Sequence, residues 1–323
     1  MKKIVLPFVL AIAMVSCKHD KDIAATPTTP TTPTTPTTPT TPTVIPFRVL
    51  DSTQMVNDLQ LLSSDAFKGR KAGTPEVALT HQLIQARLRS AGVDSFVVGF
   101  EQPFTLSSVG RKNFLGWIRG SVNPDKYIVI GAHFDHLGVN GSGVVYHGAD
   151  DNASGTACVL AMAKYFQANK PKYSVIFALW DAEEVGLKGS DYFVNNLPTG
   201  LDLTKIKFNL NMDMIARSDN NSIWACGLSH YPAYKYLVDS IKDKATVTML
   251  KSGYDKPSDP QDWTYLSDHG SFHKKAIPFL YLGVEDHPDY HKTSDTYDKV
   301  VLNRFVENAN IAAQMAMLLD RKL

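Results

Sequence analysis

The chain reads as a single α/β domain: a mixed, mostly parallel twisted sheet of about eight strands flanked by helices on both faces. Three observations predict this. Short apolar runs of strand length alternate with stretches of helical periodicity along most of the sequence. Such alternation is met most economically by a sheet covered on both sides. The 323 residues, 44% hydrophobic and 20% charged, suffice to bury one large core. No internal repeat divides the chain into stacked units, and nothing marks a second domain.

The folded part begins near Pro46. Met55, Leu59 and Leu62 recur at helical spacing, as do Val77, Leu83, Ile84 and Leu88 after a Gly73-Thr74-Pro75 start. Strand-like runs follow at 95–104, 113–118, 127–132, 174–180, 206–212, 222–225, 246–250 and 278–282. Helical stretches intervene at about 154–167, 188–195, 231–243 and 267–273, and a long one closes the chain at about 299–321.

The first seventeen residues carry Lys2 and Lys3, an apolar run from Ile4 to Val15, and Ser16 before Cys17. That is the pattern of an export signal. Its apolar run falls short of the ~20 residues that span a bilayer. A Cys directly after such a run resembles the lipobox of bacterial lipoproteins, although Met14 stands where lipoboxes prefer Leu. The resemblance implies that Cys17 is lipidated; an ordinary cleaved signal with an incidental Cys is the other reading. From Ala25 to Val44 a Thr-Thr-Pro repeat reads as an extended, polyproline-like tether. At about 3.1 Å per residue it would hold the domain tens of ångströms from its anchor. The expected organisation is therefore a signal at 1–17, a disordered tether at 18–45 and the catalytic-sized domain at 46–323. The expected location is the cell envelope, lipid-anchored at the periplasmic face or the cell surface.

Thirty-three basic and thirty-two acidic residues give no field to attract nucleic acid or an anionic bilayer. Contact with membrane is thus expected through the anchor alone, and no obligate protein partner is evident. Cys158 and Cys226 sit in apolar surroundings and are expected as buried free thiols.

Candidate chemistry lies at the ends of the apolar runs. His133-Phe134-Asp135 follows the strand at 127–132, where open α/β sheets place their ligand sites. Residues two apart in an extended segment face the same way, so Asp135 can brace one ring nitrogen of His133 while the other binds metal. Gly148-Ala149-Asp150-Asp151-Asn152-Ala153-Ser154-Gly155 opens a helix. Asp151, Asn152 or Ser154 could simply cap it, yet two adjacent carboxylates repel unless a cation or hydrogen bonds compensate. Asp181-Ala182-Glu183-Glu184 ends another strand, and its glutamate pair fits a division between metal binding and proton transfer. Asp213 lies between Met212 and Met214, an apolar setting in which a carboxylate needs a partner. His291 follows the last strand-like run. Mixed imidazole and carboxylate ligands are what zinc and neighbouring divalent ions accept. No His-Glu-x-x-His helix or Gly-x-Ser-x-Gly elbow competes, and Gly141-Ser142-Gly143 lacks the third glycine of a nucleotide loop.

In order and spacing, six segments resemble the zinc exopeptidase family of bacterial leucyl aminopeptidases, aminopeptidase Y and glutamate carboxypeptidase, with glutaminyl cyclases as relatives. They are Ala132–Asp135, Gly148–Gly155, Ala182–Ser190, Met212–Met214, Ser267-Asp268-His269 and Tyr290-His291, and the likeness covers roughly Leu50 to the end. The resemblance implies two zinc ions, with His133 and Asp213 on one, Glu184 and His291 on the other, and Asp151 between them. Asp150 is then not a ligand. Glu183 is implied as general base toward a metal-bridging water, Asp135 as the brace of His133, and Tyr290 as donor to the developing oxyanion. Asp268 is implied beneath the ligands or near a substrate amine. Cobalt or manganese would also suit these donors. The implied activity is that of an aminopeptidase acting on peptides. Glutaminyl-peptide cyclisation with a single zinc and carboxypeptidase activity are the alternatives. Cyclases typically lack the doubled acid kept here at Asp150-Asp151. The stretch 252–263, rich in Pro and Asp, is expected at the specificity rim.

Overall fold

Ile128 and Ile130 face one apolar layer, while their neighbours Tyr127 and Val129 face another. Val175, Phe177 and Leu179 alternate with Ile176, Ala178 and Trp180 in the same way. A strand buried on both sides reads as a continuous apolar run, because its two-residue period supplies both layers. The computed structural model describes residues 46–217 and 220–323. The signal ending at Cys17 and the Thr/Pro tether to residue 45 lie outside the described residues.

Within the compact unit Ile45–Leu323, the elements run in order α1 (Ser52–Leu62), α2 (Ala78–Ala91), β1 (Asp94–Ser95), β2 (Glu101–Leu106), β3 (Val109–Ile118) and β4 (Asn123–His133). Then come α3 (Gly155–Ala168), β5 (Tyr173–Trp180), α4 (Lys188–Asn195), β6 (Ile206–Met212), β7 (Ser222–Cys226) and α5 (Lys235–Asp239). β8 (Met249–Ser252), α6 (His269–His273), β9 (Phe279–Gly283) and α7 (Leu302–Lys322) complete the chain. The sheet order is β1-β3-β5-β4-β6-β9-β7-β8, with β2 also paired to β3. Apolar residues of α1, α2, α3, α5 and α7 fill one layer; Phe193 and Val194 of α4 and Phe272 of α6 fill the other. Each such side chain contributes roughly 1.5–3 kcal/mol on burial.

The expected mixed sheet flanked by helices is present, and two element bounds within it are corrected. The sheet has nine strands, because the run at 95–104 is broken by a turn at Val98–Phe100 in which Gly99 adopts φ 65°. The sheet is also evenly mixed. β4–β5, β4–β6, β6–β9 and β7–β8 are parallel, whereas β1–β3, β2–β3, β3–β5 and β7–β9 are antiparallel. The strand expected at 246–250 begins at Met249, since Glu307 of α7 captures the backbone N–H groups of Thr246, Val247 and Thr248. The helix expected at 231–243 is confined to Lys235–Asp239 after a 3₁₀ turn at Pro232–Tyr234. Cys158 and Cys226 are free and buried. Among the described residues no helix is long and apolar enough to cross a membrane.

β4, β5, β6 and β9 form the parallel centre, so their carboxyl ends open at one edge of the sheet. The start of α3 is pressed against that edge. A Cβ placed on Gly155 would fall 2.4 Å from Met212 O and 2.5 Å from Asn152 Oδ1, where only glycine lets the two backbones meet. Gly155→Ala should therefore cost about 1–3 kcal/mol or more, read as a lower midpoint in chemical denaturation; an unchanged midpoint would show that the helix start can retreat without penalty.

Candidate metal centre

His133 is the last residue of β4, and its Nε2 lies 3.2 Å from Asp213 Oδ1 and 3.4 Å from Asp151 Oδ1. Asp213 follows β6 directly, and its backbone N–H donates to Leu282 O of β9. His291, on the loop after β9, places Nε2 3.1 Å from Asp151 Oδ2 and 3.2 Å from Glu184 Oε2. The two oxygens of Asp151 thus look toward two different histidines. His133, Glu183 and Asp213 form one group of donor atoms lying within 4.8 Å of one another, and His136, Asp151 and Glu184 form a second. Imidazole with carboxylate is the donor chemistry that zinc accepts, so the residues present fit two divalent cations.

The electrostatics point the same way. Burial raises the pKa of Asp151, and the charge of Glu184 raises it further. Hydrogen bonds to Asp151 and Glu184 push the His291 imidazole up to about 10. Burial works against a charged His133, yet Asp213 and Glu183 outweigh it and hold its pKa well above the usual value. Glu183, half-buried in the cleft, is raised by desolvation first and then by Asp213, Asp268 and Glu184. Carboxylates this close compete for positive charge, whether from protons or from metal.

The cleft above these groups is about 320 Å³ and is lined by His133, Asp151, Glu183, Glu184, Asp213, Tyr290 and His291, with Leu187, Met214, Tyr265 and Leu266 as its apolar part. Tyr290 stacks on His291 with ring centroids 3.9 Å apart. Burial, followed by Asp151 and Asp213, raises its phenol pKa and keeps it protonated. Asp135 is fully buried; its carboxylate accepts from the backbone N–H of Glu183 at 3.0 Å and of Glu184 at 3.4 Å. Toward His133 Nδ1 it presents its carbonyl at 3.2 Å and a carboxylate oxygen at 3.7 Å.

The sequence profile of Peptidase family M28 matches residues 113–316, well over half of the chain. The chain belongs to that family. An aminopeptidase of Pseudomonas aeruginosa is 42% identical over 170 residues, covering 50% of this chain and 30% of the relative. The chain spans about half or less of the length of the first curated relatives it matches. An aminopeptidase from Aneurinibacillus sp. strain AM-1 superposes with TM-score 0.67 at 16% identity, over 84% of this chain and 94% of its own. The Porphyromonas gingivalis glutaminyl cyclase does so with TM-score 0.67 at 17% identity, over 85% and 99%. At such identities these two likenesses show a shared fold alone.

Asp150, Asp268 and the 252–263 stretch lie outside the two donor groups. Asp150 turns away from the donor groups, accepting from Ala216 N at 2.6 Å and pairing with His287 Nε2 at 3.1 Å. Asp268 is fully buried, and burial first, with the charges of Asp213 and Asp135, raises its carboxyl to about 7 against the opposing pull of His133. The 252–263 stretch does not line the cleft; Tyr254 and Trp263 stack on one another, and Tyr265 and Leu266 form the rim.

Three residues were not selected from sequence. His136, only three positions beyond His133, sets Nδ1 2.7 Å from Glu184 Oε1 and 3.6 Å from Asp151 Oδ2. Burial drives its pKa to about 3, so it is a neutral imidazole. Arg70 is buried and donates to the carbonyls of Leu62, Phe134, His147 and Gly148 at 2.7–2.9 Å. Asp295 accepts from the backbone N–H groups of Asp150 and Asp151 at 3.0 and 3.1 Å. Asp295→Ala should release that loop and weaken metal retention by about 10–100-fold. Competition with a chromogenic chelator measures this; retention equal to the parent protein would remove Asp295 from the support of the centre.

Proposed function

We propose that the chain is a metal-dependent exopeptidase, an aminopeptidase that removes N-terminal residues from peptides. The placement of Asp151 carries this reading: one carboxylate oxygen stands beside His133 and the other beside His291. Two divalent ions, zinc by donor chemistry, would be held by His133 and Asp213 on one side and by Glu184 and His291 on the other, with Asp151 shared. Bound there, they would supply Lewis acidity to the scissile carbonyl and acidify water.

The chain's own residues supply the rest. Glu183 reaches the donor group of His133 and Asp213 without being needed as a ligand, and its raised pKa suits a group that accepts a proton and returns it to the leaving amine. Asp135 fixes the backbone on which both glutamates sit. The protonated Tyr290, in the cleft wall, is a donor to developing negative charge. Leu187, Met214, Tyr265 and Leu266 offer an apolar surface to the terminal side chain. Peptides are then the partner, and export with a lipid anchor at Cys17 would bring the domain to peptides outside the cytoplasm.

Glu183→Gln should retain metal and lose turnover of an aminoacyl anilide by at least about 10²-fold; a fully active variant would overturn the base assignment. The fold likeness to a glutaminyl cyclase favours one other reading, cyclisation of N-terminal glutamine at a single ion. Elemental analysis of the purified protein separates the two, with about two ions per chain expected for the peptidase. One ion per chain, with cyclisation and no anilide hydrolysis, would establish the cyclase instead.

A further inference from the structure

Tyr290 and His291 stand on the loop between β9 and α7, not at the end of a strand. His291 takes a left-handed backbone, φ 55°, and none of His133, Asp151, Glu184 and Asp213 does so. A residue with a β-carbon keeps that conformation where its surroundings impose it. Close packing of the side chain does not impose it here. The His291 side chain is 39% exposed, whereas those of His133, Asp151, Glu184 and Asp213 are exposed by 10% or less. The restraint must therefore come from the rest of the loop.

Both ends of that loop are tied to one short segment after β6. Val284 N donates to Met214 O at 2.9 Å, and Val301 N to Ala216 O at 3.2 Å. The segment is itself held at each backbone N–H: Met214 N donates to Asn152 Oδ1 at 3.3 Å, Ile215 N to Ser154 Oγ at 3.0 Å and Ala216 N to Asp150 Oδ1 at 2.6 Å. Arg217, the next residue, reaches into the middle of the loop, where its Nη1 donates to Asp289 Oδ2 at 2.5 Å. Ser294 Oγ and Lys299 Nζ donate to the other oxygen of Asp289, each at 2.5 Å. The backbone of Asp289 is held as well. Its N–H donates to His287 Nδ1 at 3.3 Å, so the proton of that ring is on Nε2, which donates to Asp150 Oδ2 at 3.1 Å. Asp289 O accepts from Lys292 N at 3.0 Å and closes the turn over Tyr290 and His291.

Two routes thus converge on the residue before Tyr290, one through its carboxylate to Arg217 and one through its N–H to His287. Both lead back to the turn that carries Asp151. Arg217 and Asp289 are only 12% and 13% exposed, so their charge-assisted bond is shielded from the screening that weakens open surface pairs. Neither of them, nor His287, lines the cleft. Whatever they contribute passes through the residues they hold.

We propose that Arg217 and Asp289 are positioning residues, which set the places of Tyr290 and His291 by fixing the turn immediately before them. The inference rests on the reading of Tyr290 as a donor to developing charge and His291 as a ligand. Asp150 then gains a purpose of its own: one oxygen holds the segment that presents Arg217, and the other holds His287.

The test compares Arg217→Met, Asp289→Asn and the conservative Arg217→Lys with the parent as full chains. Hydrogen exchange followed by mass spectrometry should show residues 286–299 exchanging about tenfold or more faster in Arg217→Met, with 149–155 and α7 unchanged. At saturating zinc, Arg217→Met should lower kcat on an aminoacyl anilide about tenfold with KM within about twofold. In a Tyr290→Phe background the same change should cost less than about twofold, because the group it places is gone. In chelator competition, the metal affinity that His291→Ala abolishes should fall about tenfold in Arg217→Met while the other stays as in the parent. Arg217→Lys, which keeps a cation beside Asp289, should recover most of each loss. Unchanged exchange in the loop, faster exchange throughout the domain, a full tenfold loss on top of Tyr290→Phe, equal weakening of both metal affinities, or a lysine variant as impaired as the methionine one would each overturn the proposal. A parent protein that hydrolyses no aminoacyl anilide would refute the peptidase reading instead, and the exchange of the loop would still decide whether the Arg217–Asp289 pair holds it.

Discussion

Around the carboxyl ends of β4, β5 and β6, the carboxylates of Asp135, Asp151, Glu183, Glu184, Asp213 and Asp268 lie close together, and burial first, then neighbouring acids, make Asp151, Glu183 and Asp268 harder to ionise. Two unit charges 4 Å apart interact by about 4 kcal/mol at an effective dielectric of 20, so several such pairs would exceed the margin by which a domain is stable. Compensation must come from positive charge. His133 and His291 offer it as protons, both with pKa values raised by these acids. Divalent cations would offer more charge in the same place, with the imidazoles left neutral to act as donors. The surrounding structure is best understood as what keeps these acids from moving apart.

Three buried groups do that holding, and none of them needs to touch a substrate. Arg70 draws together the carbonyls of Phe134, just past His133, and of Gly148, just before Asp150. Asp295 ties the backbone of Asp150 and Asp151 to the loop that carries His291. Asn152 donates to Met212 O, and its Oδ1 accepts from Gly155 N and Met214 N, joining the Asp151 loop to the end of β6. Each link is a local hydrogen bond between segments that are distant in sequence. Together they make the spacing of the donor atoms a property of the backbone, where it cannot relax by side-chain rotation alone.

This explains which parts of the molecule were legible in the sequence. His133, Asp151, Glu184 and Asp213 announced themselves because each is a polar residue beside an apolar strand or glycine-rich turn, a local contrast visible in a few residues, whereas His291, in a polar run, stood out only by its place after the last strand and by the family resemblance. Arg70 gave no such contrast; its meaning lies in a carbonyl 78 positions away. Asp295 acts on a backbone N–H 144 positions earlier. His136 stood in plain view next to the His133 motif, but beyond the end of a strand the two-residue period no longer says which way a side chain faces. The same limit misplaced the strand near residue 246, whose backbone donors go to Glu307, about 60 positions on. It also hid the antiparallel half of the sheet, because pairing direction at β3 and β7 depends on which strand lies alongside.

The two acidic doublets show most clearly what the fold adds to the sequence. Asp150 and Asp151 are identical in chemistry and adjacent, yet Asp150 is consumed by Ala216 N and His287, leaving Asp151 alone to face both histidines. Glu183 and Glu184 are separated as firmly. Their N–H groups are both bound by Asp135, and the positive φ values of Ala182 (61°) and Leu187 (59°) bracket the turn they share. So fixed, Glu184 meets His136 and His291, while Glu183 meets His133 and Asp213. Neither pair can exchange roles without unfolding its turn. A change of one of these carboxylates therefore removes a specific charge from a specific half of the centre, and its neighbour in the sequence has no path by which to replace it.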